Sequence, residues 1–318
     1  LKYKNLTRKD SKQIVECWNR NIGNLFPMTE KLFIQNSLND YNLDPDASIV
    51  IKDGELIVGF IIAKHYQESI DFGIPSHIAN IQVLLVDKEY RQQGIGKNLL
   101  NKCLDTLSKK GKKEVRLGRD TWHYFPGVPV EYEDTRSWFE KQGFSRGRYI
   151  DTDMSRSFSK DEPFEQLQNP DADFSILKPE DQDELCEFMK ANFPGRWDYE
   201  VNKYFELGGT GRDFVVLRID GAIQGFCRMN DEVTPFIGCN VNWAGVFDGK
   251  VGGIGPLGVN KDVRGNGLGL DVVKAGMNTL RERGIDHIII DWTGLVDFYK
   301  KVGFDVFKQY GTYYKKLT

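Results

Sequence analysis

Val259-Asn260-Lys261-Asp262-Val263-Arg264-Gly265-Asn266-Gly267-Leu268-Gly269 reads as the end of a strand, a glycine-rich turn and the start of a helix. Ile254 to Val259 supply the strand, and Leu268, Val272, Val273, Met277 and Leu280 recur at helical spacing as far as Arg283, with Gly284 as the stop. The first N–H groups of such a helix lack internal partners and carry the positive end of its dipole. Glycines let a phosphate approach the backbone, and Arg264 adds a planar cation at the mouth. The turn therefore suits a pyrophosphate. No Lys-Ser or Lys-Thr follows the glycines, which excludes a nucleotide P-loop. A Rossmann turn should follow the first strand of its domain, and this one does not.

The same stretch occurs earlier as Val86-Asp87-Lys88-Glu89-Tyr90-Arg91-Gln92-Gln93-Gly94-Ile95-Gly96, with Arg91 and Arg264 separated by 264 − 91 = 173 residues. It is followed by a helix from about Gly94 to Lys110 in which Ile95, Leu99, Leu100, Cys103, Leu104 and Leu107 lie at helical spacing. Other features repeat in the same order. Asp53-Gly54 between two apolar runs returns as Asp220-Gly221, a hairpin signal 167 residues on. Phe26-Pro27 returns as Phe193-Pro194, and Gly143-Phe144 as Gly303-Phe304. Two copies of one domain are expected, 1–160 and 161–318, joined through the Ser- and Pro-containing stretch Ser155 to Asp173. Each copy reads as strand, helix, helix, a meander of strands, helix, strand, helix, strand.

Composition agrees with two domains, since 318 residues is about twice the usual domain length. With 40% hydrophobic residues and 20 Phe, each half has the material for a core. The net charge of −3 supplies no basic excess for a nucleic-acid partner. The five cysteines are scattered and form no C-x-x-C pair, which points to free thiols and no metal site. His65, His77 and His287 share no ligand spacing. Apolar runs are far too short for a membrane span and the start is not a secretory signal, so a cytoplasmic protein is expected.

The two turns resemble the acetyl-CoA pyrophosphate loop of the GCN5-related N-acetyltransferases (GNATs), Q/R-x-x-G-x-G/A after a strand ending Leu-x-Val. Leu84/Val86 and Leu257/Val259 match the strand end, and Phe298-Tyr299-Lys300-Lys301-Val302-Gly303-Phe304 matches the family's closing element. The resemblance covers nearly the whole chain, once per half. The chain looks like the two-domain members that include mycothiol synthase and the bacterial glucosamine/glucosaminide N-acetyltransferases. The resemblance implies an α/β (α+β) architecture of two tandem domains, each a mixed, mostly antiparallel twisted sheet flanked by helices. It also implies acetyl-CoA as co-substrate and a small-molecule primary amine as acceptor, an amino sugar being favoured, in a monomer or homodimer. The coenzyme residues so implied are Leu84, Val86, Arg91, Gln92, Gln93, Gly94, Ile95 and Gly96 in the first half. In the second they are Leu257, Gly258, Val259, Arg264, Gly265, Asn266, Gly267, Leu268 and Gly269.

The resemblance also distinguishes the halves. The family places a Tyr of the last helix near the coenzyme sulfur as an acid. Four residues before the glycine of Gly-Phe stands Tyr299 in the second half but Phe139 in the first, which cannot donate a proton. Chemistry is therefore expected in the second half, with the first non-catalytic but keeping an intact coenzyme loop. Asp291 closes the strand His287–Ile290 and is expected either to serve as base or to cap the following helix. Where many members have Asn, seven residues before the Tyr, this chain has Trp292, a lost polar contact or an aromatic wall for the acceptor. Glycine and proline at Gly252, Gly253, Gly255 and Pro256 suggest a bulge, or a close approach by another backbone, in the strand before the turn. Arg196 and Trp197, after Phe193-Pro194-Gly195, and His123 in the aromatic stretch Thr121 to Val130 are candidate acceptor contacts; the rival roles are a structural turn for Arg196 and Trp197 and a surface histidine on a packed loop for His123.

Two other readings stay open on sequence. Aminoacyl transferases of this fold generally lack the pyrophosphate loop. A coenzyme-A-binding regulatory or partner-binding module would not need Tyr299 and Asp291.

Overall fold

The computed structural model describes residues 1–317 and divides into two compact units, Leu1–Asp151 with Lys308–Thr318, and Thr152–Phe307. The first unit contains β1 (Lys2–Asn5), α1 (Ser11–Ile22), α2 (Glu30–Phe33), β2 (Ile49–Asp53), β3 (Leu56–His65), β4 (Ile78–Val86), α3 (Ile95–Lys109), β5 (Glu114–Leu117), β6 (Val128–Pro129), α4 (Glu133–Lys141) and the first half of β7 (Ser145–Ser157). The second contains the rest of β7, then β8 (Asp173–Ile176), α5 (Gln182–Asn192), α6 (Arg196–Glu206), β9 (Phe214–Ile219), β10 (Ala222–Asn230), β11 (Val251–Val259), α7 (Leu268–Glu282), β12 (His287–Thr293) and α8 (Val296–Lys300). The element order of the repeat is the expected one in each.

The repeats and the units do not coincide at their edges. The last strand, β13 (Asp305–Lys316), follows the second repeat in sequence, yet from Lys308 onward it belongs to the first unit, where Tyr314 pairs antiparallel with Arg116 of β5. Conversely, the end of β7 belongs to the second unit, where Ser155 pairs with Ile289 of β12. The repeat pattern cannot reveal this exchange, because each repeat has its own final strand wherever that strand pairs.

Both sheets are mixed and mostly antiparallel. In the first unit β1, β2, β3 and β4 follow one another antiparallel, and β4 runs parallel to β5. In the second, β8, β9, β10 and β11 do the same, and β11 runs parallel to β12. The hairpin of β9 and β10 turns on Asp220 and Gly221, both at positive φ (51° and 81°), as the short I′ connection requires.

One long helix covers each parallel pair. Leu99, Cys103 and Leu107 of α3 pack on Val58, Ile61 and Val115, and Val272, Met277 and Leu280 of α7 pack on Leu217, Cys227 and Ile288. Burying each such aliphatic side chain contributes about 1.5–3 kcal/mol, which fixes the position of the helix and hence of its N-terminus. The five cysteines are free, and burial pushes the Cys17 thiol up to about 12. Among the described residues no helix is long and apolar enough to cross a membrane.

Candidate active site

The glycine turns have one geometry in both units. Gly94 and Gly267 sit at the N-caps of α3 and α7 in the left-handed region (φ 78° and 80°), where a Cβ would be strained. Arg91 Nε donates to the Val86 carbonyl at 3.0 Å, and Arg264 Nε to the Val259 carbonyl at 3.0 Å. Each arginine is thereby folded back along its strand, and Arg91 Nη2 also donates to Asn21 Oδ1 at 3.4 Å. Behind the first helical residues, an added Cβ on Gly96 would meet Trp138, and one on Gly269 would meet Phe298.

Each turn stands beside an opening in the sheet. The parallel pairing of β4 with β5 runs from Ile78–Glu114 to Ile81–Leu117, and that of β11 with β12 from Val251–His287 to Gly253–Ile289. Beyond these points β4 continues to Val86 and β11 to Val259. One extra residue is inserted just where the strands part. Ile62 and Ala63 face Val83 and Ile81, leaving Gln82 as the bulge; Cys227 and Met229 face Leu257 and Ile254, with the bulge at the cis pair Gly255-Pro256. The expected bulge is present, and in both units.

In the second unit this opening gathers the candidate catalytic residues. Asp291 Oδ1 lies 3.7 Å from where a Cβ on Gly255 would stand, so its carboxylate faces the parting strands. The next helix starts at Val296, with Leu295 at its N-cap, so Asp291 does not cap it. Tyr299 on α8 is 6% exposed. Burial, then the neighbouring Cys227 and Asp291, raise its phenol well above the ordinary value, so it is a protonated donor at neutral pH.

Arg196, the first residue of α6, stacks its guanidinium over the Trp292 ring at 4.2 Å and is bonded to Glu200 at 2.8 Å. Burial by itself lowers its pKa, but the charges of Glu200 and Asp291 outweigh this and hold it above the ordinary value. Trp292 is at positive φ (50°), and its N–H donates to Asp153 at 3.0 Å. Asp291, Trp292, Arg196 and Tyr299, four of the residues singled out from sequence, therefore share one neighbourhood.

Further residues there carried no sequence signal. Glu200 also faces Arg228 at 3.5 Å, Arg228 donates to Asn230 at 3.2 Å, and Asn230 to Asn240 at 3.0 Å. Asn240 in turn donates to the Gly255 carbonyl at 3.3 Å. Burial lowers the pKa of Arg228, and Glu200 only partly offsets it. Lone polar residues on separate elements have no shared spacing to read.

Trp197 instead packs in an aromatic cluster with Phe193 and Phe226, at 5.4 and 6.3 Å between ring centroids. Phe193 covers Gly258 so closely that a Cβ there would overlap its ring.

The first unit keeps the seat and changes the chemistry. Register pairs Ile78 with Glu114 and Val251 with His287, both offset by 173, so Gly118 stands where the second unit has Asp291. Arg119 (φ 69°) stands where it has Trp292. A cavity of about 620 Å³ opens along Leu84, Val86, Arg91, Gly94, Gly118 and Phe139. Gln82 is among the residues that line it. This residue is 1% exposed and donates to the carbonyls of Asn36 and Trp122, each at 2.9 Å. Lys64, equally buried, is paired with Asp120 at 2.7 Å and Asp40 at 2.8 Å. Burial disfavours its charge, but the two carboxylates more than compensate and raise its pKa. His123 is 1% exposed in this unit and lies in the interior, not at the surface. Among the described residues no group of three or more His, Cys, Asp and Glu is placed to hold a metal ion.

A family model described as the acetyltransferase (GNAT) family matches residues 15–126 and again 181–304. The chain is 28% identical over 132 residues to an uncharacterized N-acetyltransferase of Methanocaldococcus jannaschii, covering 39% of this chain and 58% of that protein. It is 29% identical over 102 residues to N-alpha-acetyltransferase 30 of Schizosaccharomyces pombe, covering 32% and 59%. It thus spans less than two thirds of the length of these curated relatives. Among solved structures it is similar to a GCN5-related glucosamine N-acetyltransferase region of a fungal multi-domain GH3 β-N-acetylglucosaminidase, with a TM-score of 0.88 at 22% identity, over 99% of this chain and 38% of that one. A tandem GNAT protein from the clavulanic acid biosynthesis pathway gives 0.70 at 14% identity, over 99% and 98%. At these identities the likeness to solved structures is one of fold.

Proposed function

The chain belongs to the acetyltransferase (GNAT) family, and on that footing we propose that it transfers an acetyl group from acetyl-CoA to the primary amine of a small polar acceptor, with the chemistry in the second unit. The observation that carries this is the convergence of Asp291, Tyr299, Arg196 and Trp292 on the strand opening beside the Gly267 turn. Acetyl-CoA, when bound, supplies the thioester acyl group.

The chain's own residues do the rest. The N–H groups at the start of α7, with Arg264, hold the pyrophosphate. Backbone N–H groups along Leu257, Gly258 and Val259 receive the negative charge that develops on the acyl oxygen. Asp291, directly or through a water, takes the proton from the acceptor ammonium, since only the neutral amine attacks. As the new C–N bond forms and the C–S bond breaks, Tyr299 protonates the leaving sulfur and regains its proton from the nitrogen, which sheds its second proton on becoming an amide. Trp292 and Arg196 form the wall against which the acceptor rests, and Trp197 and His123 act in packing.

An amino sugar such as glucosamine is the favoured acceptor. Glu200, Arg228, Asn230 and Asn240 surround the site with hydrogen-bonding groups of balanced charge, which suits a neutral, hydroxyl-rich molecule. The relative of similar fold described as a glucosamine N-acetyltransferase region supports the same choice. In the first unit, Phe139 and Gly118 with an intact turn make a coenzyme-binding seat without turnover.

Calorimetric titration with acetyl-CoA, on the wild type and on an Arg264→Glu, Gly267→Asp variant, tests the reading when combined with thiol release over an amine panel led by glucosamine. Two sites in the wild type, one in the variant, and turnover only in the wild type are expected. Turnover that persists in the variant would move the chemistry out of the second unit.

A further inference from the structure

The segment that joins the two repeats is tied down along α7, one polar side chain per turn. Arg281 donates to the carbonyls of Glu162 and Pro163. Asn278 accepts from the Glu165 N–H and donates to its carbonyl, each at 2.9 Å. Lys274 donates to the Gln166 carbonyl at 2.7 Å. Asp271, wholly buried in the first turn of the helix, accepts from the Gln168 N–H at 2.8 Å, the Asn169 N–H at 2.9 Å and the Asn169 side-chain amide at 2.8 Å. Positions 271, 274, 278 and 281 are three and four apart, so they form one face of the helix.

The strap ends on the glycine turn itself. Asn169 Nδ2 donates to the Asn266 carbonyl at 3.0 Å, and Gln168 Oε1 occupies the space a Cβ on Gly267 would need. In a trans peptide the carbonyl and the following N–H point in opposite directions, so holding the Asn266 carbonyl toward the strap aims the Gly267 N–H away from it. Among the described residues the first unit has no equivalent tie at its glycines; Asn21 of α1 instead accepts from the Lys88 N–H at 2.8 Å and from Arg91 at 3.4 Å. The position equivalent to Asp271 is Asn98, which is exposed, and the space beside Gly94 is open.

We propose that the inter-repeat strap is a positioning element for the coenzyme turn of the second unit. Asp271 fixes Gln168 and Asn169, and these fix the Asn266–Gly267 peptide so that the pyrophosphate meets donors already in place. The inference rests on the acetyltransferase reading above. A turn ordered in advance binds more tightly because less ordering remains to be done on binding, so the strap acts on affinity and not on the chemical step.

The test uses the full chain with the first seat silenced by Arg91→Glu and Gly94→Asp, and compares Asp271→Asn, Asn169→Ala and, as a control far from the turn, Asn278→Ala. Asp271→Asn and Asn169→Ala are expected to raise KM and Kd for acetyl-CoA about three- to tenfold with kcat within about twofold. They should also quicken amide exchange across residues 264–270. Asn278→Ala is expected to lower the melting temperature while leaving KM in place. An unmoved KM in both turn-side variants, or an equal rise in Asn278→Ala, overturns the inference and leaves the strap as a stabilising tie. Failure of the unmutated protein to bind acetyl-CoA at all would instead overturn the acetyltransferase reading, and the inference with it.

Discussion

The two units share a backbone and differ in what they place on it. Both have a left-handed glycine, a folded-back arginine and a one-residue bulge where the parallel strands part. Around that common frame, Gly118 takes the position of Asp291, Phe139 that of Tyr299, Gln82 that of Gly255 and Lys64 that of Asn230. The phosphate seat is a matter of backbone direction, which many side chains tolerate. The acceptor side is a matter of particular groups, so it is where the repeats have drifted apart. In the first unit that side holds a buried lysine with two aspartates. Lys64 is the shared cation of both carboxylates, so removing it would strand the two of them.

Making the second unit more like the first should have the largest effect. Tyr299→Phe is expected to lower kcat about 10²- to 10³-fold with acetyl-CoA affinity within about twofold, read by steady-state kinetics and calorimetry. The reverse exchange, Phe139→Tyr with Gly118→Asp in a Tyr299→Phe background, should restore nothing, since Gln82 and Lys64 still take the positions of Gly255 and Asn230. Recovered thiol release there would break the comparison. Asp291→Asn comes next, with a fall in kcat of about 10- to 10²-fold, a loss partly relieved at higher pH where the amine sheds its own proton. A flat pH response would remove Asp291 from the role of base.

Smaller effects sharpen the contrast between the turns. Alanine at Gly94 or Gly267 forces a left-handed conformation at about 1–2 kcal/mol. At Gly267 the new methyl also meets Gln168, so Gly267→Ala should lower the melting temperature more than Gly94→Ala. Equal shifts would mean the strap yields freely. The smallest effect concerns pH and stability. Burial raises the folded-state pKa of Tyr299, so its contribution is complete below the unfolded-state value of 10.0 and is lost as pH rises above it. Alkaline unfolding of the wild type should therefore begin slightly earlier than that of Tyr299→Phe, followed by circular dichroism.

What was legible in the sequence was local or repeated. The turns, the two long helices and the Asp-Gly hairpins declare themselves within a dozen residues, and their recurrence at similar spacing removes the ambiguity of each alone. Tyr299 is singled out by the resemblance, four residues before the glycine of Gly-Phe, Asp291 by its place at the end of a strand and Arg196 by its place after Phe193-Pro194. Trp292 was ambiguous until the guanidinium of Arg196 was seen against its ring. Glu200, Arg228 and Asn240 are single polar residues on three different elements, brought together only by folding. The strap looked like a spacer because its hold on α7 is made largely by its backbone, which leaves no mark on residue type. His123 read as a loop residue because nothing in Thr121 to Val130 marks that loop as buried.

The exchanged strand has a consequence in time. The first unit begins with the first residues of the chain, but β13, which covers the free edge of β5, is translated only after the whole second unit. At about 5–20 residues per second, the roughly 160 intervening residues take on the order of ten to thirty seconds to make. For that interval β5 is an open edge of the kind that invites pairing with other chains. Of the two units, the one whose synthesis begins earlier is completed later.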